Sequence, residues 1–266
     1  MPIPDETRDR WDSRAEPDSG KGAIYWHILF RDNPAVRATA KEAQARLAPF
    51  RDLHMTPGEW LHATALVAGT TDDISDEDLD LMLAGARQRL CRVQSISVTI
   101  SRVLYHPEAI MLGFTPEGAL DPIHDAVRQA TLTATGRTGG ITGPAGRWAP
   151  HMTISYSTGK QPMAPIAVAL GHEVPRCDIS VRAVSLVIQW GPERLWNWQP
   201  VGTANLGTAL LTWALRYCKT SRIVFAQAIS SGQFELPDLE TNVPLPWIVV
   251  ISPRSRSTCI ARRTVP

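Results

Sequence analysis

The chain has 266 residues, of which 44% are hydrophobic and 20% charged, and its formal net charge is +1 at pH 7. That length holds one large domain or two small ones, and the near balance of charge gives no electrostatic reason to expect a nucleic-acid or membrane-surface protein. No run of about 18 uncharged apolar residues exists to span a membrane, and Cys91, Cys177, Cys218 and Cys259 are too scattered for a CxxC zinc site or a disulfide framework.

The first 20 residues are charged and Pro-rich and lack the apolar run of a signal peptide. They are expected to be a disordered leader, and the protein is expected to be cytoplasmic. "GAIYWHILF" (22–30) is a strand by its aromatic and β-branched content. Residues 33–50 have helical composition, with Asn33 as N-cap and Pro34 at the first helical position. "GEWLHATALVAG" (58–69) reads as a strand, and residues 72–93 as an amphipathic helix with an acidic start. Residues 95–106 and 109–114 form a hairpin, 117–135 a third helix starting near Pro122, and 135–146 a Gly-rich loop without P-loop spacing. "RWAPHMTISYS" (147–157) is a strand, 164–171 a short helix, and 178–190 with 194–202 a final hairpin. Direct strand-to-strand turns among the helices point to an α+β fold with largely antiparallel sheets. Residues 208–266 differ: they carry seven Lys/Arg against three Asp/Glu and little periodicity, and are expected to be an irregular basic extension.

Two stretches stand out chemically. In "LHATA" (61–65) and "PHMTI" (150–154) a His-x-Thr triplet sits inside a strand. Alternate residues of a strand share a face, so His62 lies beside Thr64, and His151 beside Thr153. One such pair is what a satisfied core pair looks like. Two of them, 89 residues apart and each closely preceded by a tryptophan (Trp60, Trp148), are a stronger signal. A third match, His54 and Thr56, is followed at once by Pro57, which cannot donate to a central ladder, and is expected to be a loop. Arg147, four residues before His151, could pair with a phosphate. Tyr156 falls on the face opposite His151 in a regular strand, so a substrate role for it requires a bend. Tyr25, Trp26 and His27 are expected in the core, with base stacking in a cleft as the alternative. His106 is expected at a turn, and His124 and His172 at the surface.

The two motifs resemble those of the 2H phosphoesterases, in particular the LigT-like branch of 2′-5′ RNA ligases and RNA 2′,3′-cyclic phosphodiesterases, whose His-x-Thr/Ser triplets each precede a hydrophobic residue. His62-Ala63-Thr64-Ala65 matches with a small hydrophobic member, and His151-Met152-Thr153-Ile154 matches well; "GRWAPH" (146–151) is similar to the usual approach to the second motif. The likeness covers residues 21–207 as one domain. It implies a bilobal fold with pseudo-two-fold symmetry: two antiparallel sheets with outer helices, each giving one motif to a central cleft. It also implies catalysis by His62 and His151, phosphate binding by Thr64 and Thr153, and substrates that are RNA ends or small cyclic-phosphate nucleotides. The implied product is a 2′-phosphate, with a weak reverse 2′-5′ ligase reaction, and neither metal nor other cofactor is called for. In-line attack on phosphorus needs one group to take the proton of water and another, on the far side, to protonate the leaving ribose oxygen. Histidine suits both tasks, and the threonine hydroxyls can donate to the oxygens that gain charge. The alternatives are a non-catalytic nucleotide- or RNA-binding module using the same cleft and, less well supported, a metallohydrolase. The oligomeric state is open, with a monomer expected.

Overall fold

A computed structural model describes residues 3–12, 20–140, 148–207, 248–250 and 259–261. The helices form close to where their signals lie. Helix α1 (Pro34–Leu47) starts on Asn33, whose side chain accepts from the amides of Ala35 and Val36. Helix α2 (Asp76–Leu90) opens on a reciprocal capping box between Ser75 and Asp78. Helix α3 (Asp121–Thr135) closes on Gly136 with φ 71°, the left-handed conformation that glycine adopts at little cost. Helix α4 spans Met163–Leu170.

Among the described residues, nine strands make one antiparallel sheet: β1 (Gly22–Leu29), β2 (Leu53–Met55), β3 (His62–Thr70), β4 (Ile96–His106), β5 (Ala109–Thr115), β6 (His151–Ser157), β7 (Glu173–Val181), β8 (Ala183–Trp190) and β9 (Trp198–Asn205). The order is β7-β4-β5-β6-β3-β1-β8-β9, with β2 on β6. Its centre is a single paired position, Ala63 with Met152, so the sheet is two half-sheets hinged at one point. Outward from that junction run β3-β1-β8-β9 on one side and β6-β5-β4-β7 on the other. Helices α2 and α3 cover the first half, α1 and α4 the second. Each half-sheet buries one face under its helices: Ile24, Trp26 and Ala63 with Met82, Ile123 and Val127; Ile100, Leu112 and Met152 with Ala40, Leu47 and Ile166. This is the bilobal α+β architecture expected.

Four local expectations are corrected. The stretch 58–69 is not strand throughout: Gly58–Trp60 is a 3-10 turn, and β3 starts at His62. Residues 53–55, expected as loop, form β2 and pair with Tyr156 and its neighbours, because an edge strand of three residues can end before Pro57. The single strand expected over 178–190 is two, which leave in opposite directions at exposed Arg182: β7 pairs with β4 in one lobe and β8 with β1 in the other. The leader is ordered where it is described. Residues 5–10 lie against the second lobe through backbone bonds from Thr7 N to Gln161 O, Arg8 N to Pro107 O and Arg10 N to Ser157 O. Of residues 208–266, the description covers Ile248–Val250 and Cys259–Ala261, which pair as a short antiparallel ribbon, β10 and β11.

Candidate active site

The two His-x-Thr motifs meet at the hinge of the sheet. Because Ala63 faces Met152 in antiparallel register, His62 falls opposite Thr153, and Thr64 opposite His151. The four side chains take the corners of one patch with the histidines on a diagonal, about 7–8 Å apart in an ideal ladder. Ala63 and Met152 point the other way, into the core, with no exposed surface. His62, Thr64, His151, Thr153 and Tyr156 all line one cavity of about 650 Å³, within the range of small-molecule sites. Arg147 lies outside the described residues.

Each motif ends in a β-bulge, and at the same place. In β3 the register passes from His27↔Thr64 to Trp26↔Leu66, leaving Ala65 unpaired. In β6 it passes from Met111↔Thr153 to Ile110↔Ser155, leaving Ile154 unpaired. Ala65 and Ile154 are the fourth residues of the two motifs. A bulge shifts the side-chain alternation by one, so the cleft face continues at Val67 and at Tyr156, both of which line the cavity. This is the bend that Tyr156 required. The bulged carbonyls need partners away from water, and a helix supplies one to each. His124 of α3 donates Nδ1–H to Ala65 O at 2.7 Å, and Gln44 of α1 donates to Ile154 O at 2.8 Å. His124 is therefore buried rather than at the surface, stacked on Trp148 with 4.7 Å between ring centroids. Trp148 in turn donates to Thr64 O at 3.1 Å, which ties the approach to the second motif onto the first.

The histidines are oriented alike. His62 donates Nδ1–H to Trp60 O at 2.8 Å, and His151 donates Nδ1–H to Ala149 O at 2.8 Å. Since the partners are carbonyls, Nδ1 carries the proton in each neutral ring and Nε2 presents a lone pair to the cleft. Burial lowers the His62 pKa to about 4 against the bond to Trp60 O and the charge of Glu193, and the charges of His151 and Arg10 add to the lowering. Burial also lowers that of His151, with Arg10 and His106 adding to it. Both imidazoles are thus neutral near pH 7. Burial pushes the Tyr156 hydroxyl up to about 12.

Several cleft residues escaped sequence reasoning. For Tyr25 and His27 the alternative holds, since both line the cleft, while Trp26 alone packs inward as expected. The His27 ring is buried between Tyr25, stacked at 5.0 Å, and His62, at 4.2 Å. Trp198 meets His62 edge-on at 4.5 Å, and Trp196 donates Nε1–H to His54 Nε2 at 3.3 Å. His106 ends β4 and lines the cleft, as do Glu108 and Glu193. Arg10 arrives from the N-terminal segment. No local pattern marks these positions, because their partners are brought together from both lobes. Among the described residues, no group of three or more His, Cys, Asp or Glu side chains is placed to share a metal ion. None of the described helices is long and apolar enough to cross a membrane.

Among curated proteins, none matches the chain. Among solved structures, TT0787 of Thermus thermophilus superimposes with a TM-score of 0.53 at 20% identity, over 70% of this chain and 99% of that one. E. coli LigT, solved with 3′-AMP, gives 0.54 at 16% identity, over 71% of this chain and 99% of that one. At these identities the likeness is one of fold. The sequence itself goes further, since residues 32–192 match the family model described as the 2′-5′ RNA ligase superfamily, a span that holds both motifs. With its paired His-x-Thr strands at the hinge of two like lobes, the chain belongs to the 2′-5′ RNA ligase superfamily and has the fold of the LigT-like 2H phosphoesterases.

Proposed function

We propose that the chain is a phosphodiesterase that opens 2′,3′-cyclic phosphates on RNA ends or small nucleotides, leaving a 2′-phosphate. One observation carries this reading: two imidazoles, one from each half-sheet, have Nδ1 tied to backbone and Nε2 left for the one cavity that both rings line. A cyclic phosphate between them would be attacked by water whose proton passes to one Nε2. The P–O3′ bond then breaks as the other imidazolium gives its proton to O3′. Thr64 and Thr153 donate to the non-bridging oxygens as these gain charge. The acid must be protonated, although burial favours the neutral form of both rings. A bound phosphate supplies the opposite charge that raises an imidazole pKa. With a 5′-hydroxyl in place of water as the attacking group, the same two proton transfers and the same break of P–O3′ would give a 2′-5′ linkage.

The aromatic side chains Tyr25, Trp196 and Trp198 around the cavity suit a nucleobase. Structures of E. coli LigT with 3′-AMP and with ATP show that a protein of this fold binds adenine nucleotides. No step calls for a metal ion, so turnover is expected to continue in excess EDTA. The direct test is incubation with 2′,3′-cyclic AMP and identification of the product by ³¹P NMR. A 2′-monophosphate is expected. A 3′-monophosphate would reassign the leaving oxygen, and an unchanged substrate would leave the cleft as a nucleotide-binding module.

A further inference from the structure

We propose that Arg10, carried into the cleft by the N-terminal segment, is a substrate-binding residue that receives a non-bridging oxygen of the phosphoryl group held between His62 and His151. The inference rests on the reading of the cleft as a phosphodiester site. Its basis is the way the segment is built. Besides the backbone bonds of Thr7, Arg8 and Arg10, Met163 N donates to Asp5 O at 2.9 Å. Thr7 donates its hydroxyl to Gly159 O at 2.7 Å and accepts from Gln161 N at 3.0 Å. Trp11 meets His54 edge-on at 5.6 Å and lies against Tyr156 at 5.7 Å. A segment anchored at so many points delivers a defined side chain.

That side chain is Arg10, only 16% exposed. Its Nε and Nη2 donate to the two carboxylate oxygens of Glu193 at 2.8 and 2.9 Å. Nη1 is 3.5 Å from Glu108, and Cζ sits 4.5 Å over the ring of Tyr156. A guanidinium has five N–H donors in one plane. The Glu193 fork uses two and Glu108 faces a third, so among the described residues two remain for a ligand. The guanidinium plane is fixed over the residue that continues the cleft face of the second motif. Its charge is felt at both His62 and His151. Glu193 reaches the same fork from the β8–β9 connection and holds Arg10 ready; it also competes with an arriving phosphate. An arginine is suited to this place because its planar fork matches a phosphate where a lysine gives only a point charge.

The test is calorimetric titration of 2′-AMP into the wild type, Arg10→Ala, Arg10→Lys, Glu193→Gln and Thr7→Val. Arg10→Ala is expected to weaken binding about tenfold or more, the scale of a lost charge-assisted contact. Arg10→Lys should fall between it and the wild type, and Glu193→Gln should tighten binding by releasing the fork. Thr7→Val loosens an anchor but keeps the fork, and should cost less than threefold. The proposal is overturned if Arg10→Ala binds within twofold of the wild type, or if Thr7→Val loses as much, since the effect would then lie in packing of the segment. If Arg10→Ala fails to fold, Arg10→Lys and Glu193→Gln decide, and wild-type affinity in both overturns the proposal. Wild-type protein that binds 2′-AMP without opening any cyclic phosphate would remove the proposed reaction yet leave the Arg10 comparison readable. Wild-type protein that does not bind 2′-AMP would remove both.

Discussion

Lowering the pH from 7 to 5 should destabilise the native state through His62, and by an amount that can be worked out. Unfolded, the imidazole titrates near its ordinary 6.5; folded, burial lowers it to about 4. Above pH 6.5 both states hold it neutral and it contributes nothing. Below that, the unfolded state takes up the proton first, so stability is lost as pH falls from 6.5 towards 4, and then levels. Integrating the difference in bound protons between pH 7 and pH 5 gives a loss of roughly 2 kcal/mol from this one residue. The assay is urea unfolding of the wild type and His62→Asn at both pH values, since asparagine can keep a donor to Trp60 O but cannot titrate. The wild type should lose about 2 kcal/mol more than the variant over that interval. Equal losses would show that His62 is not desolvated in the folded protein and would refute the placement of its ring. His27 and His151 are shifted in the same direction, so a general loss of stability in acid is expected in both proteins.

Three further outcomes follow from the site. Thr153→Val removes the hydroxyl proposed to donate to the reacting phosphoryl group while keeping the shape of a residue 7% exposed; kcat for cyclic-phosphate hydrolysis should fall about 10²-fold with the fold intact by circular dichroism. His124→Phe keeps the stack on Trp148 but orphans the bulged Ala65 carbonyl, and should cost about 1–3 kcal/mol in urea unfolding, whereas an unchanged midpoint would mean the bulge needs no partner. Trp198→Ala should raise KM for nucleotide substrates more than it changes kcat, by about tenfold if a base stacks there; unchanged KM would place the base elsewhere.

The fold was legible because its determinants are local. Asn33-Pro34 starts α1, and the acidic first turn after Ser75 starts α2. The alternation of His62 with Thr64 and of His151 with Thr153 put each pair on one face. The rest was hidden where distant chain decides. Tyr156 reaches the cleft only because β6 bulges at Ile154, and a bulge leaves no mark in so short an apolar run. The break at Arg182 carries no glycine or proline, so two strands that part into different lobes read as one. The first 20 residues have the composition of a disordered leader, yet Arg8 and Arg10 find Glu108 and Glu193 far along the chain. Charge balance within a short stretch says nothing of such partners.

The reaction itself is tested most directly with an oligoribonucleotide ending in a 2′,3′-cyclic phosphate, in excess EDTA, with the wild type beside His62→Ala and His151→Ala. Two imidazoles acting as base and acid predict turnover by the wild type to a 2′-phosphate end and loss of about 10²–10⁴-fold in each variant. Turnover that survives either substitution at the wild-type rate would contradict the account.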